Sequence, residues 1–193
     1  MRVQMVAGSC WYGRSPHVIQ ERTREAAAAG RHIHLAVGRL LEQGLIDPTP
    51  EKVDAVVRAL TRTMSGRTDV NQRAFNQRIR SGVNAYFWRY CLAHPWRFVG
   101  AEYAIEGGRI DVVWSGPRGW IFDEIKTGVL GGPNDSRTTT QREKYARWGC
   151  HRLGTAFVGV RTLPLLDRQA ATLTTAPGTQ VPLPADLTGG GSW

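Results

Sequence analysis

The chain has 193 residues, the length of one domain with room for an appended segment. Its composition, 41% hydrophobic and 21% charged, is ordinary globular usage and argues against a disordered chain. Lys and Arg total 25 against 16 acidic residues, a formal charge of +9, which suits either a polyanionic partner, nucleic acid before membrane, or simply arginine-rich solvated faces. No apolar run reaches the ~18–20 residues of a membrane helix, and the apolar stretch at the N-terminus is short for a secretory signal. Cys10, Cys91 and Cys150 are scattered, form no CxxC pair and frame no disulfide scaffold. The expected address is the cytoplasm.

In chain order, the first ~16 residues carry no periodicity. Residues 17–44 read as helical, with Ala26–Ala29 as strong helix formers, Gly30 as the point where the helix can break, and Ile33, Val37, Leu40 and Leu41 at helical spacing. Asp47-Pro48-Thr49-Pro50 interrupts. Thr49 is placed to cap a second helix with Pro50 at its first position and Val53, Val56, Val57 and Leu60 as its apolar stripe, ending at Ser65-Gly66. A third helix is expected from about Asp69 to Leu92, polar in its first half and aromatic in its second.

The period then changes to two. Residues 97–106, 109–114 and 120–126 are separated by Gly107-Gly108 and by Ser115–Gly119, and read as a three-strand antiparallel meander. A helix over roughly 137–149 and a fourth strand over 155–161 follow, with a polar loop at 131–136 between. The expectation is an α/β fold with a mixed sheet, a helical part over 17–94 and a sheet core over 97–162, together one domain spanning 1–168. Residues 169–193, rich in Thr, Pro and Gly, read as a poorly packed tail. Trp88, Trp96, Trp114, Trp120 and Trp148 are expected in the core.

The chemistry concentrates on the third strand. Alternation puts Glu124 and Lys126 on one face and Ile121, Asp123 and Ile125 on the other. Pairing across the turn near Gly116-Pro117 brings Asp111 of the second strand to the Glu124 end. Two carboxylates and one ammonium then converge, an arrangement suited to a hard divalent cation and to charge developing on a phosphoryl group. Lys126 stands out because the only other lysines are Lys52 and Lys144. The alternative is a structural salt bridge between Glu124 and Lys126. His34 lies on the inward side of the first helix, where the alternative to a ligand is a satisfied core histidine; glycines at i−4 and i+4, Gly30 and Gly38, would open space for close approach.

These residues resemble the PD-(D/E)XK nuclease superfamily: Asp111 is followed 13 residues on by Glu124-Ile125-Lys126. Gln141 and Tyr145, at i, i+4 on the next helix, look like the QxxxY motif of the RecB-like branch, and Gly30-Arg31-His32-Ile33-His34 looks like its GxxxH element. Glu102 is similar to the glutamate that the superfamily often places near its site. The proline of the family's name is absent, since Ile110 precedes Asp111. The resemblance implies a restriction-endonuclease-like core and Mg²⁺- or Mn²⁺-dependent hydrolysis of DNA. Asp111, Glu124, His34 and the Ile125 carbonyl would hold the metal, Lys126 would be the catalytic lysine, and Gln141 and Tyr145 would brace the site or hold the DNA backbone. Asp123 competes for the acidic slot, but its spacing from Lys126 favours Glu124.

Arg73, Arg78 and Arg80 are candidate contacts along a DNA path, with a solvated face as the alternative, and Thr138-Thr139-Thr140 are candidate phosphate contacts near a helix start. The cysteines do not suit an iron–sulfur cluster, and no GxxxxGK[ST] loop marks a nucleotide cofactor, so any helicase partner would be a separate chain. The sequence does not separate DNA from RNA, exonuclease from endonuclease, or a nuclease from a nucleic-acid-binding subunit or regulator that keeps the metal site unused or structural.

Overall fold

A computed structural model of the chain describes residues 16–62, 69–128, 136–167, 169–175 and 178–189. The turn expected at Ser65-Gly66 and most of the polar loop at 131–136 lie outside these residues. Helix α1 runs over Pro16–Glu42 without a break at Gly30. Its inward face buries Ala29, Ile33, Ala36, Val37, Leu40 and Leu41, so tertiary packing outweighs the roughly 1 kcal/mol that one glycine costs a helix. Helix α2 occupies Pro50–Thr61 with Val53, Val56 and Val57 buried. Thr49 is its N-cap, but the carbonyl of Thr49 rather than its hydroxyl starts the helix by accepting from the Lys52 and Val53 amides.

Helix α3, Asp69–Arg89, buries Phe75, Ile79, Val83 and Tyr86 at successive turns. Consecutive helical residues point about 100° apart, so its aromatic run cannot all face inward, and Trp88 is 68% exposed. Among the five tryptophans expected in the core, only Trp114 is fully buried; Trp96, Trp120 and Trp148 are half-buried.

The strands are β1 (Arg97–Ile105), β2 (Gly108–Gly116), β3 (Gly119–Lys126), β4 (Phe157–Pro164), β5 (Thr172–Thr174) and β6 (Gln180–Pro182). They form one mixed sheet in the order β1-β2-β3-β4-β5-β6. All pairings are antiparallel except β3 with β4, whose parallel pairing needs a crossover. Helix α4, Ser136–Leu153, supplies it. Helices α1–α3 cover one face of the sheet, packing on Val112, Trp114, Ile121, Ile125 and Leu163. Tyr145 and Ala146 of α4 pack on the other, against Ile110, Val113, Phe122 and Val160. Strand β1 is an edge, with Val99 and Tyr103 left 41% and 44% exposed. No helix among the described residues is long and apolar enough to cross a membrane.

The expected tail is corrected. Residues Thr172–Thr174 and Gln180–Pro182 extend the sheet by two strands, Leu173 enters the main core, and Leu187, in a short 3₁₀ turn over Ala185–Leu187, is buried. The domain therefore continues past 168. Each piece is three residues long, too short for alternation to show, and its Thr and Pro content disguised it.

Asp123 and Arg161 tie these layers together, both with no exposed side-chain surface. Arg161 Nε donates to Asp123 Oδ1 at 2.6 Å and its Nη2 to Oδ2 at 2.6 Å. Tyr86 Oη and Trp114 Nε1 also donate to Asp123 Oδ2, at 2.8 and 2.9 Å. Arg161 Nη1 reaches the carbonyls of Tyr90 and Leu187, at 3.0 and 2.7 Å.

Candidate active site

The β2–β3 ladder is regular from Gly116↔Gly119 to Val112↔Asp123. One step further the Asp111 side chain takes over, its Oδ2 accepting the Ile125 amide at 2.6 Å. That bond turns Asp111 toward the Glu124 end of β3, as the alternation of the two strands predicts. Asp123, one residue earlier, is consumed by Arg161, Tyr86 and Trp114 on the helical face, which leaves Glu124 as the acid of the site.

Glu102 arrives from β1. The pairs Ala101↔Val112 and Tyr103↔Ile110 leave it opposite Asp111. It holds φ at +48°, a left-handed conformation that non-glycine residues adopt at a cost of order 1–3 kcal/mol. His34 comes down from α1, its Nδ1 3.1 Å from Asp111 Oδ1 and 4.0 Å from Glu102 Oε1. Ligand atoms of His34, Glu102 and Asp111 all lie within 4.8 Å of one another. Two residues earlier, His32 bonds the Ala28 carbonyl at 2.8 Å and packs edge-on to Phe75, so it belongs to the helical layer.

The glycines flanking His34 explain how α1 comes so close. A Cβ on Gly38 would lie 2.8 Å from Ala101 Cβ, and one on Gly30 would lie 2.5 Å from Thr127 Oγ1, just past Lys126. The helix thus rests on β1 at one end and on the exit of β3 at the other. Gly38→Ala is expected to lose about 1–3 kcal/mol of stability through overpacking, more than the ~1 kcal/mol gained in helix propensity, because the Ala101 methyl cannot rotate away. Urea unfolding measures the loss, and a stabilised variant would remove the close-approach role.

Lys126 Nζ donates to Glu124 Oε1 at 2.6 Å and to Gln141 Oε1 at 3.1 Å. Gln141 Nε2 donates to Tyr145 Oη at 2.8 Å, and Tyr145 Oη donates to the Arg109 carbonyl, two residues before Asp111. The Gln141/Tyr145 pair therefore braces Lys126 against β2. Glu124 Oε2 is buried and has no hydrogen-bond partner among the described residues.

A cleft of about 1100 Å³ opens above this cluster. Arg31, His34 and Leu35 of α1 form one wall and Ser136, Arg137, Thr140, Gln141, Lys144 and Tyr145 of α4 the other, with Gly107, Gly108 and Arg109 between. The chain matches no protein-family model, no curated protein and no solved structure. The chemistry of the cleft therefore rests on its own residues.

Thr138 does not reach the cleft: it is 1% exposed, and Thr140, half a turn on, lines the wall instead. Arg80 pairs with Asp54 and fastens α3 to α2. Arg78 is exposed with one long bond, 3.5 Å, to the Thr127 carbonyl, and Arg73 is exposed; neither lines the cleft. Arg31, Arg109, Arg137 and Lys144 are the cations that do, and no spacing or motif marks them in the sequence. Their signal was proximity in sequence to the histidine, aspartate and glutamine of the site.

Burial and the nearby Asp111 charge push the Glu124 carboxyl up to about 8. Burial works against a charge on His34, but the Asp111, Glu124 and Glu102 carboxylates outweigh it and raise the imidazole above its ordinary value. Both groups hold their protons more tightly folded than unfolded. The stability they lend the metal-free protein is present at acidic pH and fades as pH rises, through about 8 for Glu124. A divalent cation would displace these protons. Mn²⁺ is therefore expected to raise the Tm by roughly 5–10 °C at saturating concentration, with a larger increment at pH 8.5 than at pH 6, and His34→Ala should shrink it. A pH-independent increment, or none, in differential scanning fluorimetry with and without EDTA counts against a metal at this cluster.

Proposed function

We infer that this chain is a divalent-metal-dependent nuclease of the PD-(D/E)XK type, RecB-like branch, acting on DNA. The observation that carries the reading is the placement of Lys126. Its ammonium is held by Glu124, whose other carboxylate oxygen is buried without a partner among the described residues, and by Gln141, which with Asp111 lines a cleft that also carries Arg31, Arg109, Arg137 and Lys144. The order of meander, helix and parallel strand around it supports a restriction-endonuclease-like reading of the mixed sheet.

The residues present fit Mg²⁺ or Mn²⁺. His34, Glu102 and Asp111 bring an imidazole and two carboxylates together, and the resemblance implies His34, Asp111, Glu124 and the Ile125 carbonyl as the ligands. When bound, such an ion supplies Lewis acidity toward a phosphoryl oxygen and lowers the pKa of a bound water. Asp111 is oriented by the Ile125 amide on Oδ2 and by His34 on Oδ1. Lys126 offers its ammonium to the charge that builds on the phosphoryl group as the bond breaks. Gln141 holds that ammonium in place, and Tyr145 holds Gln141. Cations on both walls hold the backbone of the substrate.

A time course on linear and covalently closed circular DNA in Mg²⁺ and in Mn²⁺, with EDTA controls, tests the reading. Metal-dependent breakdown supports it, and cutting of the closed circle assigns endonuclease action. Binding without cutting under every metal condition moves the chain to a nucleic-acid-binding subunit.

A further inference from the structure

The cations of the cleft are not equivalent. Lys126, which lies outside the lining, is committed to Glu124 and Gln141, and Arg137 on the α4 wall is engaged as well. Arg109 Nε pairs with Glu102 Oε2 at 3.3 Å, and Lys144 donates to the Gly107 carbonyl at the β1–β2 turn. Arg31 is different. It lines the same cleft, is exposed, and makes no hydrogen bond or ion pair among the described residues. It lies three residues before His34 on α1, just under one helical turn or about 4.5 Å along the axis, so both side chains project from one side of the helix. Gly30, next to it, seats this turn of α1 against Thr127, directly after Lys126. The backbone that carries Arg31 is therefore fixed relative to the catalytic strand while its guanidinium stays free.

Resting on the nuclease reading, we propose that Arg31 is the phosphate-positioning residue of the cleft. Its guanidinium takes the phosphodiester neighbouring the scissile one, on a single DNA strand running between α1 and α4. A guanidinium binds two phosphate oxygens at once and so sets orientation as well as attraction. The strand leaves past Arg109 and Lys144 at the β1–β2 turn, which gives cationic contacts on both sides of the acidic floor. At about 1100 Å³ the cleft has room for more than one nucleotide. No bond is made or broken by Arg31; it acts through the register of the strand.

The test measures binding of a single-stranded phosphorothioate oligonucleotide, which resists cleavage, as a function of salt in Mg²⁺. Wild type, Arg31→Ala, Arg31→Lys and, as a control, Arg58→Ala on α2 are compared. One lost phosphate contact on a single strand lowers the slope of log K against log salt by about 0.7. Arg31→Ala is expected to show that decrease and about tenfold weaker binding at low salt. Arg31→Lys should keep the slope and lose only part of the affinity, and Arg58→Ala should match wild type. With cleavable DNA, Arg31→Ala should raise KM more than it lowers kcat. Unchanged slope and affinity in Arg31→Ala, with a binding wild type, overturn the role of Arg31 and leave the nuclease reading standing. A wild type that neither binds nor cuts overturns that reading and this role together. A decrease of equal size in Arg58→Ala assigns the slope to overall charge and overturns a specific contact.

Discussion

Replacing Lys126 with alanine is expected to lower DNA cleavage by about 10²- to 10³-fold, the usual cost of removing one preorganised donor from a developing oxyanion. The fold should survive. The buried Glu124 loses a partner, but with its carboxyl already raised to about 8 it can carry a proton at neutral pH instead of an unpaired charge. The loss of Lys126 raises Glu124 further, because the ammonium is one of the groups that hold it down. The comparison therefore belongs at pH 8.5–9 in excess Mn²⁺, where a bound cation takes the place of the proton. Single-turnover cleavage and oligonucleotide binding measured together separate the effects: kcat should collapse while affinity moves little. Gln141→Ala should give a milder version, since it releases the ammonium without removing it. Wild-type rates in Lys126→Ala would end the enzyme reading of this strand and return Glu124 and Lys126 to a structural pair.

The second large effect lies far from the cleft. Arg161→Met is expected to cost about 3–5 kcal/mol, because it strands the Asp123 carboxylate in a site with no exposure. It also leaves the Tyr90 and Leu187 carbonyls without their donor. For a chain of this length that corresponds to a fall in Tm of roughly 6–20 °C. Tyr86, whose hydroxyl is held well above its ordinary pKa by burial and by Asp123, stays neutral and cannot replace the lost cation. The double variant Asp123→Leu with Arg161→Met should recover part of the loss, since replacing both members of a buried pair is often close to neutral. Tyr86 and Trp114 would still lack an acceptor. Deleting residues 169–193 should be comparably damaging, because it removes two strands, Leu173 and the Leu187 carbonyl from Arg161. Urea unfolding gives both values. A change under about 1 kcal/mol in Arg161→Met would show that the network adds nothing to stability.

Much of this molecule is written in local periodicity. The change from a 3.6-residue to a two-residue period near residue 97, the glycine turns at 107–108 and 116–119 and the alternation along β3 were enough to place three helices, a meander and the convergence of Asp111 with Glu124. Those features are local because strand alternation and hairpin pairing follow from neighbours a few residues apart. The glycines around His34 were also legible, since two in one helix are costly without close packing.

What the sequence could not carry depended on which surfaces meet. Thr138 and Thr140 are both threonines near the start of α4, and only the packing of that helix on the sheet decides that one is buried and the other lines the cleft. Arg80 and Arg31 are both helical arginines. The first is spent on Asp54 and the second is free, because α2 faces α3 whereas α1 turns Arg31 toward the cleft. Asp123 and Glu124 are adjacent acids. Strand alternation separates their faces, but only the arrival of Arg161 from β4, 38 residues away, makes one structural and leaves the other to the site. The last two strands were invisible for the same reason: three-residue segments have no period of their own, and they exist as strands because an edge of β4 was there to pair with them.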